Sequence, residues 1–175
     1  HACGHDGHST MLLGAAKYLA ETKNFAGTVH FIFQPAEENE GGGRVMIEEG
    51  LFDKFPVDSV YGMHNMPGIP AGEFAIRPGP IMASFDIFEI TLTGTGTHAA
   101  LPQLGRDSIV AGAQLVTALQ TIASRTIGPF DAAVVSVTQI HGGDTWNVIP
   151  EEIVIRGTTR AFKEETQTHM EAEIR

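Results

Sequence analysis

The first eight residues, HACGHDGH, hold three histidines, an aspartate and the chain's only cysteine. Cys3 and His5 are separated by one residue. On an extended segment positions i and i+2 point the same way, so a thiolate and an imidazole converge on one ion. Taken alone, so short a pattern more often marks a buried structural cysteine beside a surface histidine. The second group is the adjacent pair Glu37 and Glu38 in QPAEENEGGG, just after an apolar, β-branched stretch. Ligands of α/β sheets gather at the carboxyl ends of strands. Two neighbouring carboxylates can divide the work there, one holding a metal and the other accepting a proton from water. In isolation the pair reads as a solvated acidic loop. His64 closes a third apolar run, in YGMHNMP. A single histidine at a strand end is more often a capped or packed residue than a ligand. The coincidence changes that balance, because three consecutive elements deliver metal-competent groups to one edge. Mixed sulfur, nitrogen and oxygen donors suit Zn or Mn, and a thiolate leans toward Zn.

Three polar residues stand out further along. His98 follows the loop TGTGT, but the pattern G-x-G-x-x-G is not completed, since Ala99 occupies the third glycine position, and a nucleotide cradle is set aside. Asn147 lies in a turn within HGGDTWNVIP. Arg160, in IRGTTR, is of the type that clamps a carboxylate through two parallel hydrogen bonds. On composition alone each reads as a loop or strand-edge polar residue. His1, His8, His30, His141 and His169 are assigned structural or surface places by default. His30 shares a strand face with Ile32 and is expected to pack, as is Trp146.

These groups need elements to hold them. Asp6 or Ser9 can cap a helix carrying Met11, Leu12, Ala15, Ala16 and Leu19 at helical spacing. GTVHFIFQ and VDSVYGMHN read as strands, and RVMIEEGLF between them as a helix, an alternation that suggests a mostly parallel sheet. A Pro- and Gly-rich run over 66–80 marks a boundary, which places one domain at 1–73 and another at 78–175. In the second, FDIFEITLTG is an alternating strand and Asp107 caps a long helix. AAVVSVTQIHGG and EEIVIRGTTRAF pair as strands, and KEETQTHMEAEIR starts a further helix. That βαββα order is a ferredoxin-like unit lacking its last strand.

The 175 residues carry a net charge of −10 with no Lys/Arg cluster, which disfavours nucleic acid and anionic membranes as partners. No apolar run approaches the length of a membrane span. One cysteine makes no internal disulfide, so an oxidising compartment is not indicated and a cytoplasmic location is expected. The chain opens without methionine and ends inside a helical pattern, from which an internal fragment is expected.

Taken together, HACGHDGHSTMLLGAA, FIFQPAEENEGGG, GMHNMPGIPAG, GTGTHAALPQLGRDSI, VTQIHGGDTWNVIPEE and IRGTTRAF resemble the amidohydrolase branch of the aminoacylase and glutamate-carboxypeptidase metallopeptidases. That branch includes hippurate hydrolases, N-acetyl-diaminopimelate deacetylases and indole-acetyl-amino-acid hydrolases. The resemblance implies an α/β chain: a partial catalytic domain followed by an α+β, ferredoxin-like lid that pairs in a homodimer. It further implies two divalent ions, Mn or Zn with Co or Ni as substitutes, bridged by Cys3 and held also by His5, Glu38 and His64. Glu37 would be the general base. His98, contributed by the lid of a partner copy, would stabilise the oxyanion, with Asn147 and Arg160 holding the substrate near its carboxylate. Asp6 would orient a ligand. The reaction implied is metal-dependent hydrolysis of N-acyl amino acids. The family's further histidine ligand, far downstream, has no counterpart here, and His169 lacks its context. Two other readings stand beside this one. Cys3 with His5 or His64 could form a thiol hydrolase, or the chain could be a dimerising lid without activity.

Overall fold

A computed structural model describes residues 3–38 and 40–175, so the expectation for His1 lies outside the described residues. The chain is mixed α/β and divides into two compact units, His1–Phe74 and Ala75–Arg175.

The first unit contains helices α1 (His5–Thr22), α2 (Gly42–Glu48) and α3 (Leu51–Lys54). Neither Asp6 nor Ser9 caps α1. The cap is Gly4, in the left-handed region at φ 72°, and no side chain bonds the first turn. The helix therefore starts inside the HACGHD motif, and His5 sits in its first turn rather than on an extended segment. Met11, Leu12, Ala16 and Leu19 are half-buried at the expected spacing, but α1 has no fully buried residue. The single helix expected over RVMIEEGLF is split at Gly50, whose φ of 84° cannot continue it. The two expected strands also differ. GTVHFIFQ and VDSVYGMHN run without ladder bonds to any described segment, because a strand is completed by its neighbour and none is laid beside them. Phe33, Val60 and Tyr61 stay exposed, and His30 is exposed with its ring 5.2 Å from that of Phe55. The expected parallel sheet is thus not formed among the described residues.

The second unit follows its sequence pattern closely. Its elements are β1 (Asp86–Thr93), β2 (Thr97–His98), α4 (Ser108–Thr121), β3 (Ala133–His141), β4 (Val148–Ile149), β5 (Glu152–Ala161) and α5 (Glu164–Ile174). Three strands form an antiparallel sheet in the order β1-β5-β3, while β2 and β4 pair separately. Central β5 alternates strictly: Ile153, Ile155, Gly157, Thr159 and Ala161 are buried, and Arg156 and Arg160 are exposed on the other face. Leu119 and Ile122 from the α4 region, Val135, Ala161 and Met170 of α5 make the core. Asp107 caps α4 as expected, its Oδ1 accepting from the Val110 N–H at 3.0 Å. The end of α4 widens into a π-helical turn over Ile122–Thr126. Beyond the sheet, a hydrogen bond and ion pair with Asp131 raise the pKa of Lys163. The contribution of that pair is present below the ordinary ammonium pKa and is lost as pH rises through the raised one.

Met170 is fully buried against this core. Met170→Ala is expected to lower unfolding free energy by about 2–5 kcal/mol, the range for deleting a large core side chain, read by urea denaturation of the second unit's signal.

Candidate metal centre

Three segments far apart in sequence meet in the first unit. The left-handed turn at Gly4 delivers Cys3 and His5, the loop after Gln34 delivers Glu37 and Glu38, and the end of the third apolar run delivers His64. Cys3, His5 and His64 form one group of donor atoms, and His5, Glu37 and Glu38 form another, all within 4.8 Å of one another inside each group. His5 belongs to both. All four expected metal ligands and the expected base are therefore brought together.

The distances bear on what the group can hold. Cys3 Sγ lies 3.5 Å from His64 Nε2, and His5 Nε2 lies 3.6 Å from Glu37 Oε2 and 3.5 Å from Glu38 Oε1. The His–carboxylate separations are longer than good N–H···O bonds. Donors at ordinary Zn–S, Zn–N and Zn–O bond lengths around a tetrahedral ion are about 3.4–3.6 Å apart. The donor set and spacing thus fit a divalent ion. Glu37 and Glu38 lie almost equally far from His5 and are both exposed, so their geometry does not by itself separate a ligand from a base.

Local backbone chemistry explains the acidic loop. Ala36, immediately before Glu37, has φ 49°, a conformation costly for a residue with a Cβ. Its carbonyl accepts from the N–H groups of Glu40 (3.3 Å) and Gly42 (3.4 Å). Gly42 is buried, and a Cβ there would collide with the Pro35 carbonyl. The loop folds back tightly and turns both carboxylates toward His5.

His8, assigned to the surface by default, is instead half-buried beside the group. Its ring centroid is 4.2 Å from that of His64 and 5.1 Å from that of His5. It also meets Asn65 through both side chain and backbone. The signal was available, since His5 and His8 are three apart and share a helix face. Asp6 is exposed in the first turn of α1, and its carbonyl accepts from the Thr10 hydroxyl at 2.8 Å.

The remaining expected residues lie in the second unit. His98 of β2 is paired with Val148 of β4, and the Ala99 N–H donates to the Asn147 carbonyl at 2.8 Å, so His98 and Asn147 are close neighbours. His98 Nδ1 accepts from the Ala100 N–H at 3.1 Å. Thr145 donates to Asn147 Oδ1 at 3.4 Å. Arg160, near the other end of β5, has its guanidinium 4.2 Å over the Phe85 ring. From Glu152 to Arg160 an extended strand runs roughly 27 Å, so Arg160 is not brought to the His98–Asn147 pair. Trp146 is fully exposed, contrary to its expected packing role.

Residues 1–173 match the family model described as peptidase family M20/M25/M40. The chain is 46% identical over 174 residues to the hippurate hydrolase of Campylobacter jejuni, covering 99% of this chain and 45% of that protein. It is 46% identical over 171 residues to an N-acetyl-L-cysteine deacetylase of Bacillus subtilis, covering 97% and 41% respectively. A crystal structure of a dinuclear metal-binding peptidase of the M20 family from Bacillus subtilis superposes with a TM-score of 0.67 at 37% identity, covering 99% of this chain and 44% of that one. The chain spans less than half the length of these relatives.

Because His5 is common to both donor groups, His5→Ala is expected to remove more retained Zn than either Cys3→Ala or Glu38→Ala. Elemental mass spectrometry after equilibrium dialysis measures this, and equal losses in all three variants would contradict the shared position.

Proposed function

We propose, since this chain belongs to peptidase family M20/M25/M40, that it carries active-site residues of a metal-dependent amidohydrolase that cleaves the amide bond of N-acyl amino acids. The observation that carries the reading is the convergence of Cys3, His5, Glu37, Glu38 and His64 at ligand-edge spacing. The names of the relatives describe release of an acyl group from an amino acid. Cys3, His5, Glu38 and His64 would hold two divalent ions, Mn or Zn. Divalent ions supply polarisation of the scissile carbonyl and a water acidic enough to attack at neutral pH.

The chain's own groups do the rest. Glu37 accepts the proton of the attacking water on a carboxylate oxygen and returns it to the leaving nitrogen. The neutral His98 ring, with Nδ1 accepting from Ala100, carries its proton on Nε2, which makes that nitrogen a donor suited to a developing oxyanion. Asn147 offers an amide beside it. Arg160 spends its flat face on Phe85 and keeps its N–H edges for the substrate carboxylate.

The length of β5 adds a constraint. Arg160 stands at the end of β5 away from His98 and Asn147, which supports the reading that His98 reaches the site of a partner copy in a homodimer. The second unit is accordingly read as a ferredoxin-like lid and dimerisation domain, with the division at 1–73 and 78–175. Among the described residues no helix is long and apolar enough to cross a membrane, and the charge of −10 speaks against nucleic acid. A cytoplasmic location is proposed with the rest.

The Cys3–His64 contact favours one competing reading, a thiol hydrolase. That reading leaves both carboxylates beside His5 without a part.

Hydrolysis of N-benzoylglycine and N-acetyl amino acids with added Mn or Zn tests the proposal. Glu37→Gln is expected to retain metal while kcat falls by about 10²–10⁴-fold. Near-normal turnover in that variant refutes the assigned base. Activity that survives a chelator but not iodoacetamide transfers the chemistry to Cys3.

A further inference from the structure

His8 and Asn65 have no place in the reaction above, yet their contacts lead directly to His64. The His64 Nδ1–H donates to the Asn65 carbonyl at 2.6 Å. A carbonyl accepts only, so this bond fixes the His64 proton on Nδ1 and leaves Nε2 bare, on the side where Cys3 Sγ lies 3.5 Å away. Whether the bond forms depends on how the Asn65 carbonyl is turned. Two groups hold Asn65. Its backbone N–H donates to His8 Nε2 at 3.1 Å, and its side-chain amide meets the same nitrogen. On the other side it lies against Gly4, where any Cβ would come within 2.6 Å of the end of the Asn65 side-chain amide.

One ring nitrogen cannot donate to an amide oxygen and accept from a peptide N–H with a single proton. The backbone bond needs His8 as the neutral Nδ1–H tautomer, its one Nε2 lone pair taking the Asn65 N–H. The Asn65 amide then turns its NH2 end toward that nitrogen so that no oxygen faces the lone pair, an orientation equivalent in shape to the reverse one. His8 is then an acceptor, and the chain of bonds runs in one direction: Asn65 N–H to His8, His64 N–H to Asn65. The first helix thereby pins the segment that carries His64.

We propose that His8 is a positioning residue, which through Asn65 fixes His64 in the tautomer that presents a bare Nε2 beside Cys3. His8 touches no reacting atom in this scheme. It sets the state of a neighbour that, on the metal-centre reading, must be a deprotonated donor; the proposal rests on that reading for its purpose but not for its geometry. Partners of this kind raise metal affinity by about 10–100-fold.

The test compares the wild-type chain with His8→Ala and His8→Gln, the latter keeping an acceptor near the position of Nε2. Long-range 15N NMR on metal-free protein at about pH 8, where free imidazoles are neutral, reports the tautomer of each histidine directly. His64 is expected as the Nδ1–H form in the wild type, as a mixture in His8→Ala, and as the Nδ1–H form again in His8→Gln. Zn affinity should follow the same order, about 10–100-fold weaker in His8→Ala and within a few-fold of wild type in His8→Gln. Circular dichroism of the helices, unchanged in all three, separates positioning from unfolding. A His64 tautomer that is the same in wild type and His8→Ala overturns the proposal, with or without metal. A tautomer that shifts while Zn affinity stays constant overturns the link to metal binding. A wild-type chain with the expected tautomers but no Zn affinity counts against the metal centre and leaves the positioning contact standing.

Discussion

One imidazole ring belongs to both groups of donors, and its place is set by where a helix begins. If α1 started one turn later, at a serine or aspartate cap of the ordinary kind, His5 would lie outside it and the two groups would lose their common member. The left-handed Gly4 makes the early start available, and a Cβ there would be strained by its φ of 72° and would force the Asn65 side chain to move. On the other side of the site a strained Ala36 and a buried Gly42 hold the acidic loop in a tight return. The first unit commits conformational strain and close backbone contacts to five side chains while burying little of itself. An ion held by these donors would add to the folding free energy of the unit, because the same donors scattered along an unfolded chain cannot bind together.

The second unit is organised by a different force. Its antiparallel sheet buries alternate residues of β5 under α4 and α5, and apolar packing makes that core. On the exposed face Arg156 bonds Glu89 at 2.5 Å and Gln139 at 3.3 Å, tying the three strands together with polar contacts. The result is a rigid frame that presents His98 and Asn147 at one end of a strand and Arg160 at the other. The first unit concentrates donors within a few ångströms, whereas the second keeps its polar residues a whole strand apart.

How much of this could be read from the residues follows the same division. The alternation of β1 and β5, the Asp107 cap and the amphipathic α4 are local signals, each complete within a dozen residues, and the structure forms them where the pattern says. GTVHFIFQ and VDSVYGMHN carry equally clear strand composition, but a strand is a relation between two segments, and composition specifies only one of them. The grouping of Cys3, His5, Glu37, Glu38 and His64 was legible because metal ligands combine types that seldom coincide. His8 stands three residues from His5 on one helix face, a local signal, but its contact with Asn65 spans 57 positions and has none. The distance between Arg160 and Asn147 was equally hidden, since thirteen positions in sequence say nothing of whether the chain doubles back.

That distance has a consequence for how the protein tolerates changes of length. β5 is bonded along both edges, to β1 and to β3, so its ends cannot approach each other without breaking two ladders at once. Deleting one residue between Glu152 and Arg160 would shift everything beyond it by about 3.3 Å and turn it to the opposite face of the sheet. Arg160 would then face the core and Ala161 the solvent. An insertion or deletion that a surface loop accepts would be refused here.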